Sequence, residues 1–239
     1  MKLIIVIPTY NEAENLPRIA SALFSLPLPD VNLLVVDDNS PDGTGQIAED
    51  LGKQYNGRVD VLHRAGKQGL GTAYIQGFQR ALASDADAIC QMDADFSHPP
   101  EKVVDLAKAL ECSDVAVGSR YIAGGSVDER WSPFRKFLSG FGNLYARTIL
   151  GMKIKDITGG FRMWKRATLL GMPLERVRSN GYVFQVEMAY VCSKLGYKIQ
   201  EVPIYFADRR YGKSKMSFRI QAEAALRVWQ LLPRYRDLK

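Results

Sequence analysis

Two pairs of aspartates are the residues in this sequence that could do chemistry. Asp93 and Asp95 directly follow the apolar run 88–92, and Asp37 and Asp38 directly follow the run 31–36. Carboxylates this close repel one another, and a divalent cation removes the repulsion because Mg²⁺ and Mn²⁺ take oxygen ligands. The pattern therefore favours a site for a divalent cation and a phosphate-bearing ligand. A solvated acidic turn is the alternative, since Asp-x-Asp is a common sequence.

The elements that position these aspartates follow from a regular pattern in the first half of the chain. Apolar runs rich in β-branched residues begin near Leu3, Val31, Val59, Asp87 and Asp114, and segments with helical apolar spacing separate them. Strands that alternate with helices in this way predict βαβ units and a parallel sheet. Ligands of such sheets bind at the carboxyl ends of the strands. We therefore expect the acidic residues to meet at one edge of an α/β sheet.

The pattern of the chain changes after Arg120. Elements are predicted at 131–150 (amphipathic helix), 156–162 (Gly-Gly turn), 184–195 (helix), 198–204 (strand), 211–217 (polar, basic loop) and 216–232 (amphipathic helix). On the last helix, Leu226 and Trp229 share a face with Arg227 and Arg234 nearby. Such a face suits an anionic membrane surface, and packing on the domain is the equal alternative.

Composition bounds the class of protein. The chain has 239 residues, of which 46% are hydrophobic and 24% are charged, and these values are typical of a globular domain and exclude a disordered chain. The net charge of +6 suits a polyanionic partner. Three cysteines and two histidines exclude a disulfide framework and a multi-histidine metal site and favour a reducing compartment. No apolar run approaches the ~20 residues of a membrane span, so a cytoplasmic protein, soluble or peripheral at a membrane, is expected.

A family resemblance rests on a set of motifs that runs through most of the chain. The motifs are Ile-Pro-Thr-Tyr-Asn-Glu (7–12), Val-Val-Asp-Asp-Asn-Ser-Pro-Asp-Gly-Thr (35–44), Met-Asp-Ala-Asp (92–95), Ser-His-Pro-Pro (97–100), Gly-Ser-Arg-Tyr (118–121), Asp-Ile-Thr-Gly-Gly-Phe-Arg (156–162) and Arg-Arg-Tyr-Gly-Lys-Ser-Lys (209–215). As a set they resemble glycosyltransferase family 2, and within it the dolichol-phosphate or polyprenol-phosphate mannose synthases.

This resemblance implies a fold and an activity. The fold is a single Rossmann-like GT-A domain over 1–239, with a nucleotide-sugar-binding half (1–120), an acceptor-binding half (121–215) and a C-terminal amphipathic helix (216–239). The implied reaction is the inverting, metal-dependent transfer of mannose from GDP-mannose to a polyprenol or dolichol monophosphate. The implied location is the cytoplasmic face of a membrane, reached by peripheral docking or through a membrane-anchored partner subunit.

The resemblance also implies residue roles. Nucleotide-sugar contacts are expected from Pro8, Tyr10, Glu12, Val35, Asp37, Asp93, Ala94, Asp95, Arg120, Arg209 and Lys215. The expected ligands of Mg²⁺ or Mn²⁺ are Asp93, Asp95 and Ser97. The best-matched relatives carry a glutamine at the position of Ser97, and because serine is shorter, a water could bridge Ser97 to the metal. The acceptor phosphate is expected to bind Arg120, Arg135, Ser139 and Arg209, although a solvated basic helix face would also explain Arg135. The catalytic residues are expected to be Asp93, Asp95 and Arg120.

The chemistry of this reaction agrees with the residue types. A nucleoside diphosphate leaving group needs stabilisation by a cation and basic side chains. A lipid monophosphate is already anionic, so it needs positioning more than deprotonation. Transfer from a UDP-sugar and a catalytically silent subunit of a glycosylation complex remain alternatives. The sequence contains no recognisable nucleic-acid-binding motif, which argues against a nucleic-acid-binding function.

Four smaller expectations concern single positions. Asp156 and Arg162 either form a structural ion pair or act in catalysis, and His98 is expected in a surface turn. The sequence at 69–72 lacks the third glycine of a dinucleotide-binding fingerprint, so its glycines are expected to cap a helix. Asn11, with a glutamate three residues later, is expected to be a helix N-cap.

Overall fold

A mixed sheet lies at the centre of the computed structural model, which describes residues 1–208 and 218–238. The strands in chain order are β1 (Leu3–Thr9), β2 (Val31–Asp37), β3 (Val59–His63), β4 (Ala88–Gln91), β5 (Val115–Ser119), β6 (Ser126–Val127), β7 (Arg162–Lys165), β8 (Ile199–Pro203) and β9 (Tyr205–Phe206). The main sheet has the order β3-β2-β1-β4-β7-β5-β8, and β6 pairs with β9 in a separate two-stranded ribbon.

Helices cover both faces of this sheet. They are α1 (Leu16–Phe24), α2 (Thr44–Gln54), α3 (Leu70–Leu82), α4 (Lys102–Ala109), α5 (Pro133–Ile149), α6 (Arg166–Gly171), α7 (Gly181–Lys194) and α8 (Phe218–Arg234). One core cluster joins one sheet face to α1, α2 and α4, and the other joins the opposite face to α3, α7 and α8. The result is a layered α/β fold, as the strand–helix alternation predicts.

The mostly parallel character of the sheet is confirmed, with one exception. Strand β7 runs antiparallel to both β4 and β5, and it places Arg162 opposite Gln91 on one side and Val117 on the other. The sequence analysis places no strand there, because Arg-Met-Trp-Lys is short and lacks β-branched residues. The division of the chain at residues 120 and 215 remains a prediction.

The expectation that Asn11 caps a helix is wrong. Asn11 has a left-handed backbone with φ 62°, and α1 begins only at Leu16. The intervening segment is held instead by the loop after β2, because the N–H of Asn11 donates to Ser40 Oγ at 3.1 Å and the N–H of Ala13 donates to Asp42 Oδ2 at 3.1 Å. The first loop of the site is therefore fastened to the second.

Helix α5 presents an unusual face to solvent. Its only buried residues are Asn143 and Ala146. Six large apolar side chains on α5 and α8 are between 52% and 72% exposed: Phe134, Phe137, Phe141, Leu144, Leu226 and Trp229. These six residues form what we call the exposed apolar surface. An amphipathic helix on a globular domain normally turns its apolar side inwards, so this arrangement is inverted.

The two helices that carry the exposed apolar surface are joined to each other. Trp229 Nε1 donates to the hydroxyl of Tyr145 at 2.9 Å, and that hydroxyl donates to the carbonyl of Ala225 at 3.2 Å. Helix α8 is fixed to the domain by Val228, Leu231 and Tyr235, which are buried. Within residues 1–208 and 218–238, no helix combines the length and apolar character needed to cross a membrane.

We expect Gly77→Ala to destabilise the fold by about 1–3 kcal/mol, the usual cost of overpacking a core. A Cβ at Gly77 on α3 would lie 2.4 Å from Val6 Cγ1 and 3.1 Å from Val36 Cγ2, so helix and sheet would have to separate. Gly140→Ala on α5 is the control, since its Cβ would meet nothing within 4 Å. Chemical denaturation measures both, and equal stability of the two variants would contradict the close contact of α3 with the sheet.

Candidate active site

The loops that follow β1, β2, β4 and β5 leave the same edge of the sheet. Strands β1, β2 and β4 pair in parallel, and β5 has the same direction because β7 is antiparallel to both β4 and β5. This edge is where ligands of open α/β sheets bind. Three parts of the site gather here: the loops after β1 and β2, an acidic turn after β4, and the buried guanidinium of Arg120 after β5.

Asp37 fastens the loops after β1 and β2 together. Its Oδ1 accepts hydrogen bonds from Thr9 Oγ1 at 3.0 Å and Ser40 Oγ at 2.5 Å, and its Oδ2 accepts from the N–H of Ser40 at 3.0 Å. The carboxylate is buried. Hydroxyl and backbone donors satisfy its oxygens, so Asp37 holds the loop geometry.

The charge of Asp38 is balanced by Arg64, a residue that no sequence motif pointed to. Arg64, which directly follows β3, donates to Asp38 Oδ1 at 2.5 Å and to Thr72 Oγ1 at 2.6 Å, and both charged side chains are buried. Burial outweighs the arginine and raises the pKa of Asp38 above its usual range. The pair is 26 residues apart in sequence, so no local pattern pointed to it.

The remaining residues expected around the nucleotide differ in what they can offer. The ring of Tyr10 is partly exposed, and Lys67 Nζ lies 4.1 Å from its centre. Glu12 Oε2 accepts a hydrogen bond from Asn15. Pro8 lies in β1 opposite Val36. Val35 is fully buried in the core and lies in β2 between β1 and β3, so it presents no exposed surface.

Asp93 begins the acidic turn and is held by two residues from outside the motif. Tyr74 on α3 donates its hydroxyl to Asp93 Oδ1 at 3.1 Å, and the N–H of Asp93 donates to His98 Nδ1 at 3.0 Å. Burial and the neighbouring Asp93 charge raise the pKa of Tyr74 well above its ordinary value, so the phenol keeps its proton and remains a donor. The turn is therefore fixed from both sides.

The expectation that His98 lies in a surface turn is wrong. The imidazole is buried, stacked on Phe161 at 5.1 Å between ring centres and set edge-on to Phe206 at 5.7 Å. Burial lowers its pKa, which keeps the ring neutral and lets Nδ1 accept the hydrogen bond from Asp93. His98 thus acts as a structural support beneath the acidic turn.

Ser97 contacts Asp95 directly, and its expected role as a metal ligand remains a prediction. Its N–H donates to Asp95 Oδ1 at 3.1 Å and its hydroxyl donates to the same oxygen at 2.6 Å. Asp95, Ala94 and Ser97 are all buried, whereas Asp93 is half-buried. Between Asp95 and Ser97, Phe96 takes a left-handed backbone with φ 61°, which turns the chain back on itself. Ser97 therefore orients the carboxylate of Asp95.

The residues of the acidic turn fit a divalent cation that takes part of its ligand set from a substrate. No group of three or more His, Cys, Asp or Glu side chains that could hold a metal exists within the described residues. Two carboxylates completed by phosphate oxygens and water are nevertheless the usual surroundings of Mg²⁺ in enzymes that act on phosphate esters. The donor set here, Asp93 and Asp95, matches that requirement.

Arg120 and Asp156 form a buried ion pair after β5. Arg120 Nε donates to Asp156 Oδ2 at 2.7 Å and Nη2 donates to Oδ1 at 2.7 Å, while the N–H of Arg120 also donates to Oδ2 at 2.9 Å. Burial alone would raise the pKa of Asp156, but the charge and hydrogen bonds of Arg120 outweigh it and lower that pKa. The fork geometry leaves Arg120 strongly oriented.

Asp156 therefore pairs with Arg120, and the expected ion pair between Asp156 and Arg162 does not form. Arg162 is fully buried, and its guanidinium donates to three backbone carbonyls, those of Ile157 at 2.7 Å, Gln185 at 2.8 Å and Gly159 at 2.9 Å. Burial lowers the pKa of Arg162 to about 10. Arg162 shapes the Gly-Gly turn from below, and Arg120 supplies the charge that balances Asp156.

Polar contacts link this ion pair to α5. Arg120 Nη2 donates to Thr158 Oγ1 at 2.8 Å, and Asn143 Nδ2 donates to the same oxygen at 3.0 Å. Tyr121, whose ring lies 5.2 Å from the Arg120 guanidinium, donates its hydroxyl to Ser139 Oγ at 2.6 Å. The structure thus brings Arg120 and Ser139 into one cluster.

Arg135 lies at the edge of this cluster with partners of its own. Its guanidinium is 3.8 Å from the ring centre of Trp131, and Nη1 donates to Asp208 Oδ1 at 3.0 Å. Both charged side chains are partly exposed, so a phosphate could compete with Asp208. Arg209 and Lys215 lie outside the described residues.

We expect Asp156→Ala to cost about 3–5 kcal/mol of unfolding free energy, because it leaves the buried Arg120 charge without its partner. Asp60→Ala removes a carboxylate that pairs with Arg80 on the exposed surface, so it should cost about 0–1 kcal/mol. Because the pKa of Asp156 is lowered on folding, its contribution is full at neutral pH and is lost as the pH falls through that lowered value. Denaturation curves at neutral and acidic pH measure both variants, and equal costs at neutral pH would argue against the pair.

Comparison with known proteins agrees with this geometry. The model of the family named glycosyl transferase family 2 matches residues 4–170. The chain is 43% identical to an undecaprenyl-phosphate mannosyltransferase of Micrococcus luteus, over 100% of this chain and 98% of that protein. It is also 43% identical to a polyprenol monophosphomannose synthase of Mycolicibacterium smegmatis, over 94% of this chain and 84% of that protein.

Solved structures share the fold at much lower sequence identity. Glucosyl-3-phosphoglycerate synthase from Mycobacterium tuberculosis, in complex with Mn²⁺, UDP and its product, has a TM-score of 0.63 at 20% identity, covering 98% of this chain and 79% of that one. A mannosyltransferase from Pyrobaculum calidifontis, in complex with GDP-Man and Mn²⁺, has a TM-score of 0.66 at 15% identity, covering 99% and 67%. The expected GT-A fold is confirmed, and the chain belongs to glycosyl transferase family 2.

Proposed function

We propose that this chain transfers mannose from GDP-mannose to a polyprenyl monophosphate, with inversion at the sugar and with Mg²⁺ or Mn²⁺. The observation that carries the proposal is the placement of the acidic turn, Asp93 to Asp95, between the loops after β1 and β2 and the buried Arg120 cluster. The full-length similarity to two proteins named for polyprenol-phosphate mannosyl transfer supports the choice of sugar and acceptor.

The donor is assigned to the side of β1 and β2. The partly exposed Tyr10 and Pro8 are the surfaces offered to the nucleoside. Asp93 and Asp95 would hold the cation, which when bound neutralises charge on the departing diphosphate. Ser97 keeps Asp95 in place for this, through its two hydrogen bonds to Oδ1.

The acceptor is assigned to the side of β5 and α5. Arg120 is oriented by Asp156, and its charge attracts the acceptor phosphate; Ser139 and Arg135 lie on the same helix, one turn apart. In the reaction, a phosphate oxygen of the acceptor forms a bond to C1 of the sugar while the bond from C1 to the diphosphate breaks. The acceptor oxygen is already anionic, so the protein needs to orient it and no general base is required.

The lipid acceptor assigns a role to the exposed apolar surface. Six large apolar side chains on two joined helices would be costly to leave in water, and a bilayer removes that cost. Lys136 and Arg147 on α5 border this surface and suit anionic lipid headgroups. Because Ser139 lies on α5 too, docking through α5 would bring a membrane-embedded phosphate directly to the Arg120 cluster.

Transfer of glucose or another sugar from a UDP donor is the alternative within the same reaction class. The fold is shared with an enzyme solved with UDP, which leaves the nucleotide open at the level of architecture. A catalytically silent subunit is the other alternative. The intact Asp93, Asp95 and Arg120 argue against it, since each is held by specific contacts.

The first experiment supplies radiolabelled GDP-mannose, UDP-glucose or UDP-GlcNAc with a short polyprenyl phosphate and measures label in the organic phase. We expect product from GDP-mannose, dependent on Mg²⁺ or Mn²⁺ and lost on chelation. Asp95→Asn removes a charge but keeps the shape of the side chain, so transfer should fall by about a hundredfold or more.

The matched control is Asp85→Asn, on an exposed loop at the opposite edge of the sheet, which should leave transfer unchanged. Product from a UDP-sugar alone would contradict the mannose assignment and keep the reaction class. Absence of product from every donor would favour the silent subunit.

Docking on the membrane is tested by flotation with vesicles that contain anionic lipid. We expect the double variant Phe137→Ser/Phe141→Ser to lose about tenfold or more in the partition between vesicle and water, because two large apolar side chains no longer enter the bilayer. Leu170→Ser on α6 is the control, since Leu170 is also exposed but lies on a different helix. Unchanged flotation of the double variant would exclude this surface as the docking site.

A further inference from the structure

The hydroxyl of Thr158 is surrounded by donors in a way that fixes its chemistry. Arg120 Nη2 and Asn143 Nδ2 both donate to Thr158 Oγ1, at 2.8 Å and 3.0 Å. A hydroxyl has two lone pairs and one proton. Both lone pairs are therefore engaged, and the group can act only as a donor towards anything that approaches it.

Neither Arg120 nor Asn143 can change from donor to acceptor towards the Thr158 hydroxyl. A guanidinium has no acceptor atom, so Arg120 can only donate. The amide of Asn143 is also fixed, because Oδ1 accepts from the N–H of Thr158 at 3.1 Å and Nδ2 donates to the carbonyl of Ser139 at 3.1 Å. Backbone N–H and carbonyl groups have only one polarity each, so flipping this amide would break both contacts.

The proton of Thr158 has no acceptor within the described residues, and the side chain is only partly buried. By contrast, Asn143 and Asp156, which hold it in place, are buried. The surroundings of the hydroxyl are the Arg120 charge and a neutral amide. Such a position favours an anionic oxygen acceptor, such as one carried by a phosphate.

We propose that Thr158 binds the acceptor phosphate directly by donating its hydroxyl proton to a phosphate oxygen, and that Asn143 is a positioning residue that keeps the hydroxyl in this state. The proposal rests on the function proposed above. A diphosphate of the sugar donor has the same chemistry, but Asn143 ties Thr158 to Ser139 and α5, which places it with the acceptor.

The same geometry favours a phosphate over an alcohol as the ligand of this site. A prenyl alcohol can accept a hydrogen bond from Thr158, but it carries no negative charge, and its own proton finds no acceptor on Thr158 or Arg120. A phosphate monoester presents only acceptor oxygens when it is fully ionised. The Thr158 hydroxyl and the Arg120 guanidinium are therefore complementary to the charged acceptor, and a hydrogen bond to a charged group is among the stronger ones.

Steady-state transfer with Thr158→Val and Thr158→Ser tests the proposal. Valine keeps the shape and removes the hydroxyl, so KM for a short polyprenyl phosphate should rise by about tenfold to a hundredfold, while KM for GDP-mannose stays unchanged. Serine restores the hydroxyl and should return KM to within about threefold of the unaltered protein. Thr148→Val, at an exposed position of α5, is the control and should change neither constant.

Two kinetic outcomes would overturn the proposal. If the valine variant raises KM for GDP-mannose and leaves KM for the lipid unchanged, Thr158 contacts the donor. If the serine variant is as impaired as the valine variant, packing of the threonine methyl matters and the hydroxyl does not.

Direct titration with a short-chain prenyl phosphate, in the presence of GDP and Mg²⁺, separates this inference from the proposed reaction. The valine variant should bind the phosphate about tenfold more weakly or worse and bind the matching prenyl alcohol as before. Hydroxyl-dependent binding without any mannose transfer would keep the inference and overturn the proposed reaction. Equal binding by the valine variant and the unaltered protein, or no binding by either, would overturn the inference.

Discussion

The buried pair of Arg120 and Asp156 is the interaction on which the part of the site after β5 depends. A buried guanidinium requires a partner that matches its charge and its planar fork, and Asp156 supplies both oxygens. The backbone N–H of Asp156 is in turn held by Glu201 on β8 at 2.9 Å. The carboxylates of Asp156 and Glu201 therefore tie the end of β5, the Gly-Gly turn and β8 together. A glycine at position 159 suits this close arrangement, since a Cβ there would lie 3.1 Å from the carbonyl oxygen of Gly118.

Buried carboxylates in two parts of the site have different partners. Asp37 and Asp95 accept hydrogen bonds from hydroxyl and backbone N–H groups. The carboxylate of Asp156 instead pairs with Arg120 and orients its guanidinium. Carboxylate oxygens therefore lie at the acidic turn, and an oriented guanidinium lies after β5. This separation fits a transfer between two phosphate-bearing substrates, one of which arrives with a metal ion.

The sequence pattern predicts local elements well and distant partners poorly. The spacing of the apolar residues predicts β1 to β5 and most helices, because a strand or a helix buries one face regardless of which element it packs against. Strand β7 is not predicted, because it is buried by its position between β4 and β5, and no local sequence pattern encodes that position. The partner of Asp156 is Arg120, 36 residues away, and the nearby Arg162 is used by backbone carbonyls instead. His98 and Tyr74 likewise acquire their roles only from the folded arrangement around Asp93.

A buried asparagine attaches helix α5 to the domain. A helix with an apolar face turned outwards contributes little to the core, so something else must hold it to the domain. The buried Asn143 does so through two hydrogen bonds, to the N–H and to the hydroxyl of Thr158, while its hydrogen bond to the carbonyl of Ser139 lies within α5. An apolar residue at this position could bury the same area but could not fix the rotation of the helix. Polar contacts have defined directions, so Asn143 fixes how the exposed apolar surface of α5 is oriented relative to Thr158 and Arg120.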